Sequence, residues 1–314
     1  LMINVAEKSG SKVLSITIPE DAESLYSLSV ANPEGKGRPI TYQIDPYTGD
    51  IKGIQGKGKG SEFFFSMFKL HRWLLMDEKV GRPIVGVATI LFLFGCISGV
   101  VIWFFFFFFF WKQGLKLKFN GNWKRLNHDL HNSLGFYAVL FLLVMSVTCL
   151  CWSFEWYKDG LSKVIGAPIF GGRNDAPSTV NIEEGQALST TQLIAIGHQQ
   201  LSYAGNLRVS FPKAKDGVVS FTKNRNGFFA PSWSDKVEVN PYNGSVIKAE
   251  LFADKTFGQK IAASIKPLHT GEILGTFSKI IYFLACLIAT SLPITGVLIW
   301  WNKLKKKKTK HPKN

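Results

Sequence analysis

Three histidines, His71, His131 and His269, each follow a leucine at the mouth of a long apolar segment, in the contexts KLHRWLL, DLHNSLG and PLHTGEILG. The three segments close on related phrases, ISGVVIW (97–103), SVTCLCW (146–152) and ITGVLIW (294–300). Imidazole ligates haem iron and smaller metals, and it carries protons near neutral pH. A polar group at membrane depth is costly, so each of these histidines is a functional candidate. Bis-imidazole ligation of a haem needs two rings from different helices, approaching opposite faces of the macrocycle. Small zinc or iron sites instead recruit carboxylates or thiolates beside histidine. Glu272 stands three residues after His269, on what reads as one helix face. His128 and His131, three apart, share a face of one helix and cannot clamp one group from both sides. On the residues alone, haem, a small metal ion, a proton relay and plain packing all remain open.

The elements that position these histidines follow from charge and hydropathy. The chain has 314 residues, 46% hydrophobic and 14% aromatic, with a formal net charge of +15. Charge is nearly absent from residues 83–111, 134–154 and 280–301, and ~20 apolar residues suffice for a helical span. Three spans are expected, the first running into seven consecutive phenylalanines, Phe104 to Phe110, to which no function attaches. The basic excess is local. Lys112, Lys116, Lys118, Lys124 and Arg125 crowd one loop, and seven lysines follow Trp301. Without those twelve, 25 basic residues face 22 acidic ones. Because the basic blocks abut spans, they mark cytoplasmic segments rather than nucleic-acid contacts. Residues 1–82 and 157–268 then lie outside, and an outside start calls for a fourth span upstream. His71 and His269 fall near the outer face and can meet, while His131 falls near the inner face. Arg72, Arg82 and Lys266 near the outer pair, and Lys124 and Arg125 near the inner one, are candidate partners for acidic groups of a ligand, or interfacial anchors.

The exported regions read as strands. KVLSITI, SLYSLSV and PITYQIDPYTGDIKGI alternate apolar and polar residues, and VEVNPYNGSVIKA (237–249) repeats YQIDPYTGDIKGI (42–54). In each copy Pro, Asp or Asn, and Gly specify the bend. A helix is expected at 189–205, with strands at 207–211, 218–222 and 227–232. His198 on that helix reads as an ordinary surface or core residue. The four cysteines, Cys96, Cys149, Cys151 and Cys286, all fall in or beside apolar segments and read as packing residues rather than a disulfide framework.

The DPYTG hairpin, Leu-His-Arg-Trp-Leu, Asp-Leu-His before Leu-Gly, and Leu-His-Thr-Gly-x-x-x-Gly resemble the PepSY-associated transmembrane family over essentially the whole chain. That family includes inner-membrane ferric-siderophore reductases and iron-regulated membrane proteins. The resemblance implies an integral membrane α-helical bundle, three spans here and four in the full protein, carrying two small periplasmic α+β PepSY-like modules. Its parts are a first module (1–60), an interfacial segment and span (62–111), a basic cytoplasmic loop (112–127), a span (128–156), a second module (157–265), a span (266–301) and a basic tail (302–314). It also implies two b haems in a bacterial inner membrane, passing electrons outward to a ferric siderophore or other chelate. The donor would be quinol or a cytoplasmic reductase. Residue by residue, His71 and His269 match the outer haem-iron ligands, with Arg72 beside them, and His131 the inner one. The inner haem then needs a ligand from the absent span. Cys149, where the other segments carry Gly, and the Phe run, in place of Trp-Trp-Pro with basic residues, depart from the family pattern. A membrane scaffold or an accessory subunit of a larger complex is the rival reading.

Overall fold

Alternation at period two and long apolar runs build two separate units in the computed structural model, Leu1–Lys69 with Ser162–Ser264, and Leu70–Leu161 with Ile265–Asn314. The structure describes residues 11–33, 39–56, 60–107, 117, 119, 122–171, 178, 179, 187–212, 214 and 216–309, without the side chains of 106, 107 and 306–309. Most of the expected basic loop, the Phe108–Phe110 end of the phenylalanine run and the last five residues of the tail lie outside that description.

In the first unit, eight strands form one antiparallel sheet. They are β1 (Val13–Ile18), β2 (Tyr26–Val30), β3 (Ile40–Ile44), β4 (Ile51–Ile54), β5 (Asn206–Ser210), β6 (Val219–Asn224), β7 (Ser234–Val239) and β8 (Val246–Glu250). The order β4-β3-β2-β1-β5-β6-β7-β8 sets two four-stranded meanders back to back. β1 and β5 join them in register, Ser15 opposite Ser210 and Ile18 opposite Leu207. The two regions expected as separate modules are therefore hydrogen-bonded into one sheet. Alternate positions face the core, as the pleat requires: Ile16 and Ile18, Leu28 and Val30, Leu207 and Val209, Val219 and Phe221, Val237 and Val239 are all buried.

The repeat seen in the sequence is exact in hydrogen bonding. Asp45 and Asn240 each accept from the amide four residues on, Gly49 and Gly244, at 2.9 Å in both copies. Their side chains accept from Tyr47 and Tyr242 at 2.9 and 2.8 Å. Gly49 and Gly244 sit at φ 75° and 74°, which a residue with a Cβ adopts only at a cost. The first helix of the sheet unit to follow the second span, Thr190–Gln200, begins at a capping box between Ser189 and Gln192 and buries Leu193 against the core. It ends five residues short of the expected 205. The strand expected at 227–232 is not formed. Gly227 at φ 140° and Pro231, which lacks an amide donor, delay β7 to Ser234.

Numbered in chain order, the helices are α1 (Ser61–Trp73), α2 (Glu78–Phe107), α3 (Trp123–Ser153), α4 (Glu155–Ile165), α5 (Thr190–Gln200, above), α6 (Phe257–Thr270) and α7 (Gly275–Thr309). Among the described residues three helices are long and apolar enough to cross a membrane: Glu78–Phe105, Trp123–Ser153 and Gly275–Lys305. Each starts before its apolar run, because helix geometry continues through polar residues at the mouth. Asn122 caps α3 by accepting from the Arg125 amide at 3.0 Å. α3 packs against both α2 and α7. Its contact face is built from small and polar residues, among them Ser133, Ala138, Ser146 and Thr148, all buried. Small side chains let helices approach closely where no hydrophobic effect drives them together.

Candidate functional site

The paired histidines stand on helices that stop just before their spans. α1 ends at Trp73, two residues after His71, and the chain turns through Leu74 and Leu75 at φ 57° and 60°. A left-handed leucine costs roughly 1–2 kcal/mol, so this turn is held by its surroundings. Asp77 restarts the helix, its carboxylate accepting from the Lys79 amide at 2.9 Å. α6 ends one residue after His269, and Gly271 makes the equivalent turn at φ 75°. Ser278 fastens this second turn by donating to the Gly271 carbonyl at 2.6 Å and accepting from the Leu274 amide at 2.8 Å.

These turns bring His71 and His269 together, with ring centroids 6.4 Å apart and planes inclined at 40°. Nδ1 of His269 lies 3.0 Å from the Met145 carbonyl and 3.2 Å from the Thr148 hydroxyl, both near the end of α3. A carbonyl only accepts, so Nδ1 carries the proton and Nε2 keeps its lone pair. Trp152 packs against the same ring, 5.1 Å between centroids. Burial pushes the His269 pKa below the ordinary histidine value, opposed by the Met145 carbonyl and reinforced by His71. The ring is thereby kept in its neutral, ligating form.

The charged residues expected near this pair divide. The Arg72 guanidinium lies 5.1 Å from the Trp73 ring, and Arg82 pairs with Glu78 one turn earlier on α2. Glu272 is not on the helix face of His269. α6 has already ended at Thr270, and Glu272 pairs instead with Lys279 at 3.2 Å. Among the described residues no group of three or more His, Cys, Asp or Glu could hold a metal ion.

His131 lies seventeen residues before Thr148 on α3, about 26 Å along the axis at 1.5 Å per residue. It therefore belongs to the other end of the bundle, as its place in the chain predicted. Its Nδ1 is 2.8 Å from the Thr295 hydroxyl on α7, and Asn127 donates to the Thr295 carbonyl at 3.1 Å. His131 borders a cavity of about 330 Å³ between α2, α3 and α7, lined also by Gly95, Gly99, Gly135, Phe136 and Leu292. A Cβ at Gly95 or Gly99 would meet nothing within 4 Å, so these glycines widen the cavity. At Gly296 a Cβ would stand 3.3 Å from the His131 ring, so that glycine gives the imidazole its place. Trp103 stacks on Phe136 at 4.0 Å beside the cavity. His128 is exposed and hydrogen-bonds Asn132 at 2.9 Å. Arg125 lies 3.8 Å from Asp129.

Sequence reasoning missed Met145, Thr148, Trp152 and Thr295. A signal was present, since Thr-Cys and Thr-Gly recur inside the closing phrases at 146–152 and 294–300.

These features define a membrane protein with three apolar helices, histidines at both ends of the bundle and an attached antiparallel sheet. The model of the PepSY-associated TM region matches residues 4–303, and the chain belongs to that family. No curated protein matches it.

Proposed function

We propose that this protein is a haem-containing electron-transfer protein of the bacterial inner membrane that reduces a ferric siderophore or other iron chelate in the periplasm. The observation that carries the reading is the His71–His269 pair. Two imidazoles that each bound one metal ion at about 2 Å would have centroids about 6 Å apart, and those of His71 and His269 are 6.4 Å apart. His269 also carries the outer hydrogen bond typical of a ligating imidazole, Nδ1–H to a backbone carbonyl, which fixes tautomer and orientation.

His71 and His269 supply the nitrogens of the outer site, with Arg72 available for a propionate. His131 supplies one nitrogen of the inner site, and its glycine-lined cavity has room for part of a flat ring. Bound there, b-type haem supplies one-electron chemistry, and Fe(III) in the chelate is reduced to Fe(II), which oxygen chelators hold less tightly. The residues need perform no acid, base or nucleophilic step; they hold and tune. The donor is quinol or a cytoplasmic reductase. The basic loop and tail support a reading in which the inner site faces the cytoplasm and the sheet the periplasm.

The test is the absorbance spectrum of the purified full-length protein. A reducible b-type Soret and α-band is expected, with one component lost in a His71→Ala, His269→Ala double variant. A spectrum without those bands overturns the proposal, and full biological activity of the double variant favours the scaffold reading, in which the histidines only pack.

A further inference from the structure

Two histidines at opposite ends of the bundle are held by one repeated device. At the paired end, the Thr148 hydroxyl donates to the Val144 and Met145 carbonyls at 2.7 and 3.1 Å. Nδ1 of His269 faces the Met145 carbonyl and that same hydroxyl oxygen. At the other end, the Thr295 hydroxyl donates to the Ser291 and Leu292 carbonyls at 3.0 and 3.1 Å. His131 faces that hydroxyl through Nδ1 at 2.8 Å, with the Leu292 carbonyl beside it. Each cradle is a carbonyl at position i and a threonine hydroxyl at i+3 of one helix, presented to an imidazole from the helix beside it. The arrangement is reciprocal: α3 holds the histidine that precedes α7, and α7 holds the histidine of α3.

The donor count dictates the tautomer. A threonine hydroxyl has one proton, and in both cradles it points to carbonyls of its own helix. What it turns toward the imidazole is a lone pair. Hydroxyl lone pair and carbonyl both require a proton on Nδ1. Nε2 is then the unprotonated nitrogen of each ring, and it has no hydrogen-bond partner among the described residues. A proton relay must load and unload both nitrogens, which a ring locked at Nδ1 resists. A metal ligand needs this lock.

We infer that Thr148 and Thr295 are positioning residues that fix His269 and His131 as Nδ1–H tautomers, directing both Nε2 lone pairs to the iron-binding positions. The iron-binding part of this inference rests on the proposed haem function; the tautomer does not. α2 carries the same hydroxyl–carbonyl pair, Ser98 donating to Gly95 at 3.0 Å, with no imidazole against it among the described residues. It provides an internal control.

The experiment uses the full-length protein, ¹⁵N-labelled at histidine, in lipid nanodiscs under reducing conditions. Long-range nitrogen–proton correlations report which nitrogen of each ring carries the proton, and solvent exchange reports how firmly it is held. Protonated Nδ1 is expected at His131 and His269. Thr295→Val should speed exchange at His131 about fivefold, the worth of one neutral hydrogen bond, and leave His269 unchanged. Thr148→Val should act on His269 alone and less strongly, because there the Met145 carbonyl at 3.0 Å is the nearer acceptor and the hydroxyl at 3.2 Å the farther. Thr→Ser at either position should restore the parent signal, and Ser98→Ala should alter neither ring. In haem-loaded protein each Thr→Val variant should also raise the midpoint potential of its own component, since the ligand becomes less basic. Protonated Nε2 in the parent, or unchanged exchange in both valine variants, overturns the inference. Protonated Nδ1 in protein without b-type bands sustains the tautomer assignment and overturns the haem reading.

Discussion

Gly271 offers a sharp test of how the paired-histidine end is built. It turns the chain between His269 and α7 at φ 75°, and a Cβ there would lie 2.6 Å from Cγ of Tyr282. Gly271→Ala therefore carries two penalties. The left-handed backbone costs roughly 1–2 kcal/mol with a Cβ present. The clash adds about 1–3 kcal/mol, the usual cost of overpacking, because Tyr282 is only 7% exposed and its ring packs edge-on against Phe141. The total is about 2–5 kcal/mol. The two parts separate in a double-mutant cycle. In a Tyr282→Gly background the ring and the Cβ, which would lie 2.7 Å from the new methyl, are both gone, and Gly271→Ala should cost only the backbone part. A coupling of about 1–3 kcal/mol between the substitutions is expected, measured as the shift in unfolding of the full-length protein in micelles by tryptophan fluorescence. Additivity within about 0.5 kcal/mol would show that the ring yields freely, and the tight turn beneath His269 would be refuted.

Two other outcomes follow from the geometry. Glu238 is buried, which works to raise its pKa, but the Lys236 ammonium and the Ser178 hydroxyl, each at 2.5 Å, more than offset this and hold it below the ordinary value of 4.5. Its stabilisation is full above pH 4.5 and is lost as pH falls through the lower, folded-state pKa, because the unfolded chain then binds more protons. Glu238→Gln should be less stable than the parent at neutral pH and should flatten the acid limb, as denaturant midpoints on either side of 4.5 will show. At the other end of the chain's chemistry, Gly99→Leu should fill the cavity beside His131, where a Cβ now meets nothing within 4 Å. The inner spectral component should fall while the outer pair's remains; an unchanged inner component would separate that cavity from the inner haem.

The parts of this protein readable from sequence are those where a local rule and the final structure agree. The two hairpins announced themselves because Asp45 and Asn240, with Gly49 and Gly244, need no distant partner to make their turns. The spans were visible as apolar runs, and the meeting of His71 with His269 followed from their direction of travel. The helix ends were not visible. Gly271 is a residue type that marks a helix stop, but Leu74 and Leu75 adopt the left-handed conformation against their own preference, so the break after His71 carried no signal. At the second turn the signal is present, and Glu272 does not continue the His269 helix because Gly271 has already ended it. The joining of the meanders through β1 and β5 was hidden because strand pairing across 189 to 193 residues, as in Ile18 with Leu207 and Ile16 with Val209, depends on tertiary context. Phe221 and Leu28 declared themselves as core residues through alternation, whereas the partners of His131 and His269 depended on how α7 and α6 lie on α3.

The crossed holding of α3 and α7 has a mechanical consequence. Sliding α7, together with the Ser278-fastened turn that joins it to the end of α6, along α3 by a single turn, about 5.4 Å, would part His131 from Thr295 and His269 from Met145 and Thr148 in the same movement. Antiparallel helices with contacts at one end can pivot; with a latch at each end, about 26 Å apart, they can neither shear nor tilt without opening one of them. The separation between the two ends of the bundle is thus a fixed length, set by seventeen residues of one helix and checked at both ends by the other.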